Sequence, residues 1–146
     1  MAGFTNYLED KIINHLFGDA TGASGADHYT APTTWYVGLQ TASPTDAAAG
    51  TEVSGGGYVR QSVSAWTLAT GGTAQASNTA SLTWPAATTD WGTVVTAGVY
   101  DGSGGGANLI AFENLTKTDF STANPKVVST GDIFKIDAGN LKIQLD

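Results

Sequence analysis

From Thr33 onward the chain never sustains a helical period: apolar residues recur at every second position over short segments, and clusters of Gly, Pro, Asn and Asp cut those segments apart. Such alternation places one set of side chains on one face of a pleated strand and the intervening set on the other. Each segment therefore has one face to bury, and the segments must stack as sheets. Trp35, Val37 and Leu39 share a face in 33–40, Ala80, Leu82 and Trp84 in 75–84, and Val95, Ala97 and Val99 in 93–100. Ile110 and Phe112 mark 108–115, and Leu141, Ile143 and Leu145 mark 141–145. Segments 58–68, 126–129 and 133–136 complete the set. The connections can hardly hold crossover helices, so pairing is expected to be mainly antiparallel. No repeat of fixed period argues for a solenoid or propeller. The expected fold is mainly β: an antiparallel β-sandwich, jelly-roll-like or immunoglobulin-like, of about eight strands, with one short N-terminal helix.

That helix is expected over 6–17, where Leu8, Ile12 and Leu16 recur at i, i+4 and i+8, Asn6 can cap the start with Glu9 three residues on, and Gly18 supplies the stop. About 12 residues make a marginal helix in water, so its apolar stripe needs a partner surface. Two partners fit: the chain's own β domain, or a neighbouring subunit that Leu8, Ile12 and Leu16 would then contact. The stretch Asp19 to Pro32 has no period and reads as an extended arm. The expected division is residues 1–32 as helix and arm, and 33–146 as the β-sandwich domain.

Charge narrows the partners. Only 13% of residues are charged, about half the usual share, with 13 acidic against 6 basic and a formal net charge of −7. A surface rich in Thr, Ser, Ala, Asn and Gly loses little side-chain entropy when covered, which suits contact with other protein subunits. Lys11, Arg60, Lys117, Lys126, Lys135 and Lys142 are scattered along the chain, whereas a phosphate backbone calls for a clustered positive patch, so no nucleic-acid partner is expected. The absence of cysteine rules out a disulfide framework, a thiolate metal site and a Cys nucleophile. No signal-peptide pattern opens the chain and no apolar run approaches the roughly 20 residues that cross a bilayer, so a soluble protein made in the producing cell's cytoplasm, without membrane insertion, is expected.

Motifs with chemical potential are few. Gly102 to Ala107 matches a dinucleotide fingerprint, but that device works only at a helix N-terminus, and a strand pattern follows; a hairpin loop led by Asp101 is the better reading. His15 and His28 lack metal-site spacing, and the pairs Glu9 with Asp10 and Asp132 with Asp137 have no sequence feature that places them across a cleft. One carboxylate in the Asp101 loop is too few for a calcium cage. No catalytic, cofactor or metal site is expected, and the chain reads as no enzyme. Among the tryptophans, Trp35 and Trp84 alternate with polar neighbours as core residues do; Trp66 and Trp91 are the candidates for exposed aromatics that could contact a receptor or a host surface glycan.

Several runs carry a resemblance. Tyr36-Val37-Gly38-Leu39 leads to Pro44-Thr45-Asp46 and then to Gly50-Thr51-Glu52-Val53-Ser54-Gly55-Gly56-Gly57-Tyr58-Val59-Arg60-Gln61; Trp91-Gly92-Thr93, Val99-Tyr100-Asp101, Gly131-Asp132 and Leu141, Ile143, Leu145 follow. Together these resemble a family of small bacteriophage proteins known as tail fibre proteins, over most of the chain, most specifically at Gly50 to Arg60. The resemblance implies a virion structural protein and no enzyme; the expectation built on it is a protein made in a bacterial host and docked on other virion proteins of tail or neck as a homo-oligomer, such as a trimer. A short, globular, repeat-free chain also fits a capsid decoration (cement) protein, and exposed tryptophans fit a carbohydrate- or receptor-binding module. From the residues alone, Gly55 to Gly57 permit a turn or bulge of positive φ, across which Glu52 and Arg60 can pair.

Overall fold

The computed structural model describes residues 3–17, 31–69, 75–117 and 122–144, and for residues 3 and 14–17 the backbone alone. In chain order the first elements are β1 (Gly3–Phe4), α1 (Asn6–Phe17), β2 (Trp35–Ala42), β3 (Thr51–Glu52), β4 (Gln61–Val63), β5 (Trp66–Leu68) and β6 (Gln75–Asn78). After them come β7 (Leu82–Thr83), β8 (Gly92–Val94), β9 (Thr96–Tyr100), β10 (Leu109–Asn114), β11 (Lys126–Val128), β12 (Lys135–Ile136) and β13 (Lys142–Gln144). The protein is thus mainly β with one short helix near its start.

The principal sheet runs β1-β10-β9-β2-β3. Strand β2 is long enough to seat two short strands on its far edge: β4 against Trp35 to Val37, and β3 against Gln40 and Ala42. Three smaller ladders, β11–β8, β12–β7 and β13–β6–β5, make up the rest, and every pairing is antiparallel. The alternation read from sequence supplies the core: Val37, Leu39, Val63, Ala97 and Val99 of the principal sheet pack with Leu82, Trp84, Val94, Val128, Phe134 and Leu141. Trp84 is fully buried, its ring edge-on to Phe134 at 5.5 Å.

Segmentation is where the structure differs from the pattern. Segments 58–68, 75–84 and 93–100 each bend and change sheets, becoming β4 and β5, β6 and β7, and β8 and β9. Val63 and Trp66, Leu82, and Val94, Ala97 and Val99 of these segments still pack in one core, so the apolar pattern does not mark the corners. The corners are held by long-range hydrogen bonds. Fully buried Asn78 donates from Nδ2 to the carbonyls of Ala80 and Asp137 and accepts from Leu141 N–H. Val95 N–H donates to Gln40, and Val95 C=O accepts from Leu115.

The helix spans the expected residues, but its first intrahelical bonds go to the Thr5 carbonyl, so Thr5 holds the cap position expected of Asn6. The Thr5 hydroxyl instead donates to Leu109 C=O, fastening the entry to β10. Leu8 is buried, whereas Ile12 and Ile13 are exposed. The Leu16 and His15 side chains, His28 and most of the 19–32 arm lie outside the described residues. Strand β1 was invisible to periodicity because two residues cannot show one.

Candidate functional site

The most specific sequence motif, Gly50 to Arg60, builds a polar knot on the outer face of the principal sheet. After β3 the chain leaves β2, turns through Gly55, Gly56 and Gly57 with left-handed backbone, and returns as β4. Between the two seated strands Leu39 would lose its sheet partner. Its C=O accepts from Val53 N–H, and its N–H donates to the Tyr58 hydroxyl at 2.7 Å, so a side chain completes the ladder. The turn is also tied to distant chain: Gly56 C=O accepts from Thr88 N–H and from Trp91 Nε1 at 3.0 Å. A Cβ on Gly56 would lie 2.8 Å from that indole nitrogen, which is why the close approach needs glycine.

Arg60 is the centre of the knot. Its Nε and Nη2 donate to Glu52 Oε1 and Oε2 at 2.8 and 2.7 Å, a bidentate pair, and Nη1 donates to the carbonyls of Gly102 and Gly104. The guanidinium lies 3.5 Å over the Tyr100 ring. Tyr58 donates its hydroxyl proton to Glu52 Oε1, and the Tyr100 hydroxyl accepts from Gln40. Glycine makes the floor: Gly38 and Gly98 face one another across β2 and β9, and a Cβ on Gly38 would meet Glu52 Oε1 at 2.7 Å and the Tyr58 hydroxyl at 3.0 Å. Burial pushes the Tyr58 and Tyr100 hydroxyls up from their ordinary range, the Glu52 charge adding to both. For Arg60, burial opposes the charge, but the bond to Glu52 outweighs it and raises the pKa. These three groups stay protonated at neutral pH; what they do is fix shape.

The knot reaches the glycine-rich segment through Arg60. Asp101 accepts from Asn108 N–H and Nδ2, each at 2.7 Å, closing a hairpin between β9 and β10 as expected. No helix follows it.

A second concavity, a groove of about 920 Å³, lies among the small ladders. Lys117, Lys126, Lys135 and Lys142 line it together with Val127 and Ile133. This corrects the view of the basic residues as scattered: four of six share one groove. Lys126, Lys135 and Lys142 sit on β11, β12 and β13, three strands that do not pair with one another. The available signal in sequence was only that all four fall between 117 and 142.

The tryptophans separate. Trp91 is only 5% exposed, with its indole N–H bound and its ring edge-on to Tyr58, so no face remains for a sugar; the expected receptor contact there is corrected to a core position. Trp66 and Trp35 are half-buried and packed against the core. Asp132 and Asp137 line the same groove, each already engaged, Asp132 accepting from Ser129 N–H and Asp137 pairing with Lys135, while Glu9 and Asp10 lie exposed on α1. Among the described residues no group of three His, Asp or Glu could hold a metal ion, and no helix is long and apolar enough to cross a membrane.

Against known families, the one described as "Podophage GP4 fiber I protein gp80" matches residues 3–144. No curated protein matches the chain.

Proposed function

Because this chain belongs to the podophage GP4 fiber I protein gp80 family, a structural phage fibre family, we propose that it is a non-enzymatic virion component, docked on the particle surface as a tail-fibre-like or tail- and neck-associated protein in several symmetric copies. The observation that carries this reading is the knot. In the motif most specific to the resemblance, Glu52, Tyr58 and Arg60 satisfy one another and the backbone, and none is left aimed at a substrate. Side chains engaged in this way hold backbone shape. Repetition of modest contacts around a symmetric particle then gives firm attachment without any single large interface.

Immunogold labelling of purified particles, with quantitative mass spectrometry of their protein content, tests the reading. Label on tail or neck is the expected result. Label distributed over the head would replace it with capsid decoration, and absence from the particle would overturn it. Loss of host adsorption on Trp66→Ala, with assembly and thermal stability unchanged, would instead mark a receptor-binding module.

A further inference from the structure

We propose that the lysine-lined groove receives helix α1 of a second copy of this chain, in a head-to-tail contact; this deepens the reading above and rests on it. Six large hydrophobic residues among those described are strongly exposed, and four of them fall on these two surfaces: Ile12 and Ile13 on α1, and Val127 and Ile133 at the groove. Exposed aliphatic side chains flanked by charge are what an interface core with a polar rim presents before assembly.

The charges of the two surfaces are opposite. Beside its isoleucines α1 carries exposed Glu9 and Asp10 with half-buried Lys11, an excess of one negative charge. At the groove four lysines stand against the three carboxylates Glu113, Asp132 and Asp137, in a chain whose net charge is −7. Four lysines against three carboxylates leave this lining one positive charge in excess on an otherwise acidic molecule, which favours a negatively charged element there, and the element with matching apolar residues is α1. A helix suits it better than a strand, because lysines on β11, β12 and β13 blunt strand addition at those edges. A sugar would call for stacking aromatics, and the one aromatic ring in the lining, Phe134, is buried.

The two surfaces lie apart on one chain. Thr5, which leads into α1, is bound at the Leu109–Ile110 end of β10, whereas the groove reaches Glu113 and Asn114 at the other end, about 10–17 Å away at the usual rise of an extended chain. Contact between unlike patches is heterologous, so it closes as a ring or continues as a filament.

Charge reversal on the full chain tests this by light scattering and native mass spectrometry across micromolar concentrations. The wild-type chain should form oligomers. Lys117→Glu with Lys126→Glu should weaken association at least tenfold, as should Glu9→Lys with Asp10→Lys, and all four together should restore it. Ile13→Ser, at a position already 56% exposed, should weaken association while sparing the fold. A monomeric wild type, oligomers indifferent to these changes, or a fourfold variant no better than its parents would overturn the inference. Any of these results with the chain still on the tail leaves the docking reading standing, whereas absence from particles removes that reading.

Discussion

Arg60→Met removes the centre of the knot. The Arg60 side chain is 8% exposed and that of Glu52 26%. Loss of one member of a buried ion pair typically costs 3–5 kcal/mol, because the other charge stays behind without its partner. Partial exposure of Glu52 lets water replace some of the lost bonds, and its bond from Tyr58 survives, which places the cost at the low end, about 3 kcal/mol. Two loop carbonyls also lose their donor, but Gly104 lies in an exposed turn where water reaches it. For a chain of this length about 3 kcal/mol lowers the Tm by about 6–12 °C. Thermal and urea unfolding followed by tryptophan fluorescence measure both quantities. Glu52→Gln should cost about 2 kcal/mol, and the double variant should cost clearly less than the sum, since one interaction cannot be lost twice. The exposed pair Lys135 with Asp137 is the control: Lys135→Met should move stability by less than about 0.5 kcal/mol. If Arg60→Met proves as mild as Lys135→Met, or the double variant is additive, the knot does not hold the motif together.

Gly38→Ala should cost about 2 kcal/mol by driving a methyl group into Glu52, Tyr100 and the Tyr58 hydroxyl, while Gly104→Ala, with open space around its Cβ, should be neutral; equal Tm values for the two would refute the glycine floor. In alkaline titration, at least two of the five tyrosines, Tyr58 and Tyr100, should withhold their protons until the chain unfolds. Their folded pKa values lie above the unfolded value of about 10, so this contribution to stability is whole below about pH 10 and declines as pH rises beyond it. Ionisation of all five in one step near pH 10, with the fold intact, would contradict the burial of these hydroxyls.

What the sequence made legible was local. Alternation assigned Val37, Leu39, Ala97, Val99 and Leu141 to the core, and helical spacing found 6–17. The Glu52–Arg60 pair could be read because a glycine turn of positive φ brings residues eight apart in sequence into reach. Trp91 misled because Asp90-Trp91-Gly92 has the composition of an exposed turn; its ring is covered by a carbonyl and a tyrosine from the Gly55–Tyr58 turn, far away in sequence. The roles of Tyr58 and Tyr100 were illegible for the same reason. Each answers a need created elsewhere: one for an N–H stranded on β2, the other for a guanidinium arriving from the segment before β4.

The basic residues show how far such blindness reaches. Sequence order places four of the five lysines between 117 and 142 but on separate segments, and only the return of β11, β12 and β13 to one groove brings them together. With Arg60 consumed inside the knot and Lys11 on the helix, positive charge concentrates at one place while acidic side chains predominate elsewhere. That polarity bears on assembly. A two-fold contact through the groove would set its four lysines and three carboxylates against the same set, with no net attraction, and one through α1 would bring the acidic first turns together. A head-to-tail contact instead sets the groove's excess of lysine against the excess of acid on α1.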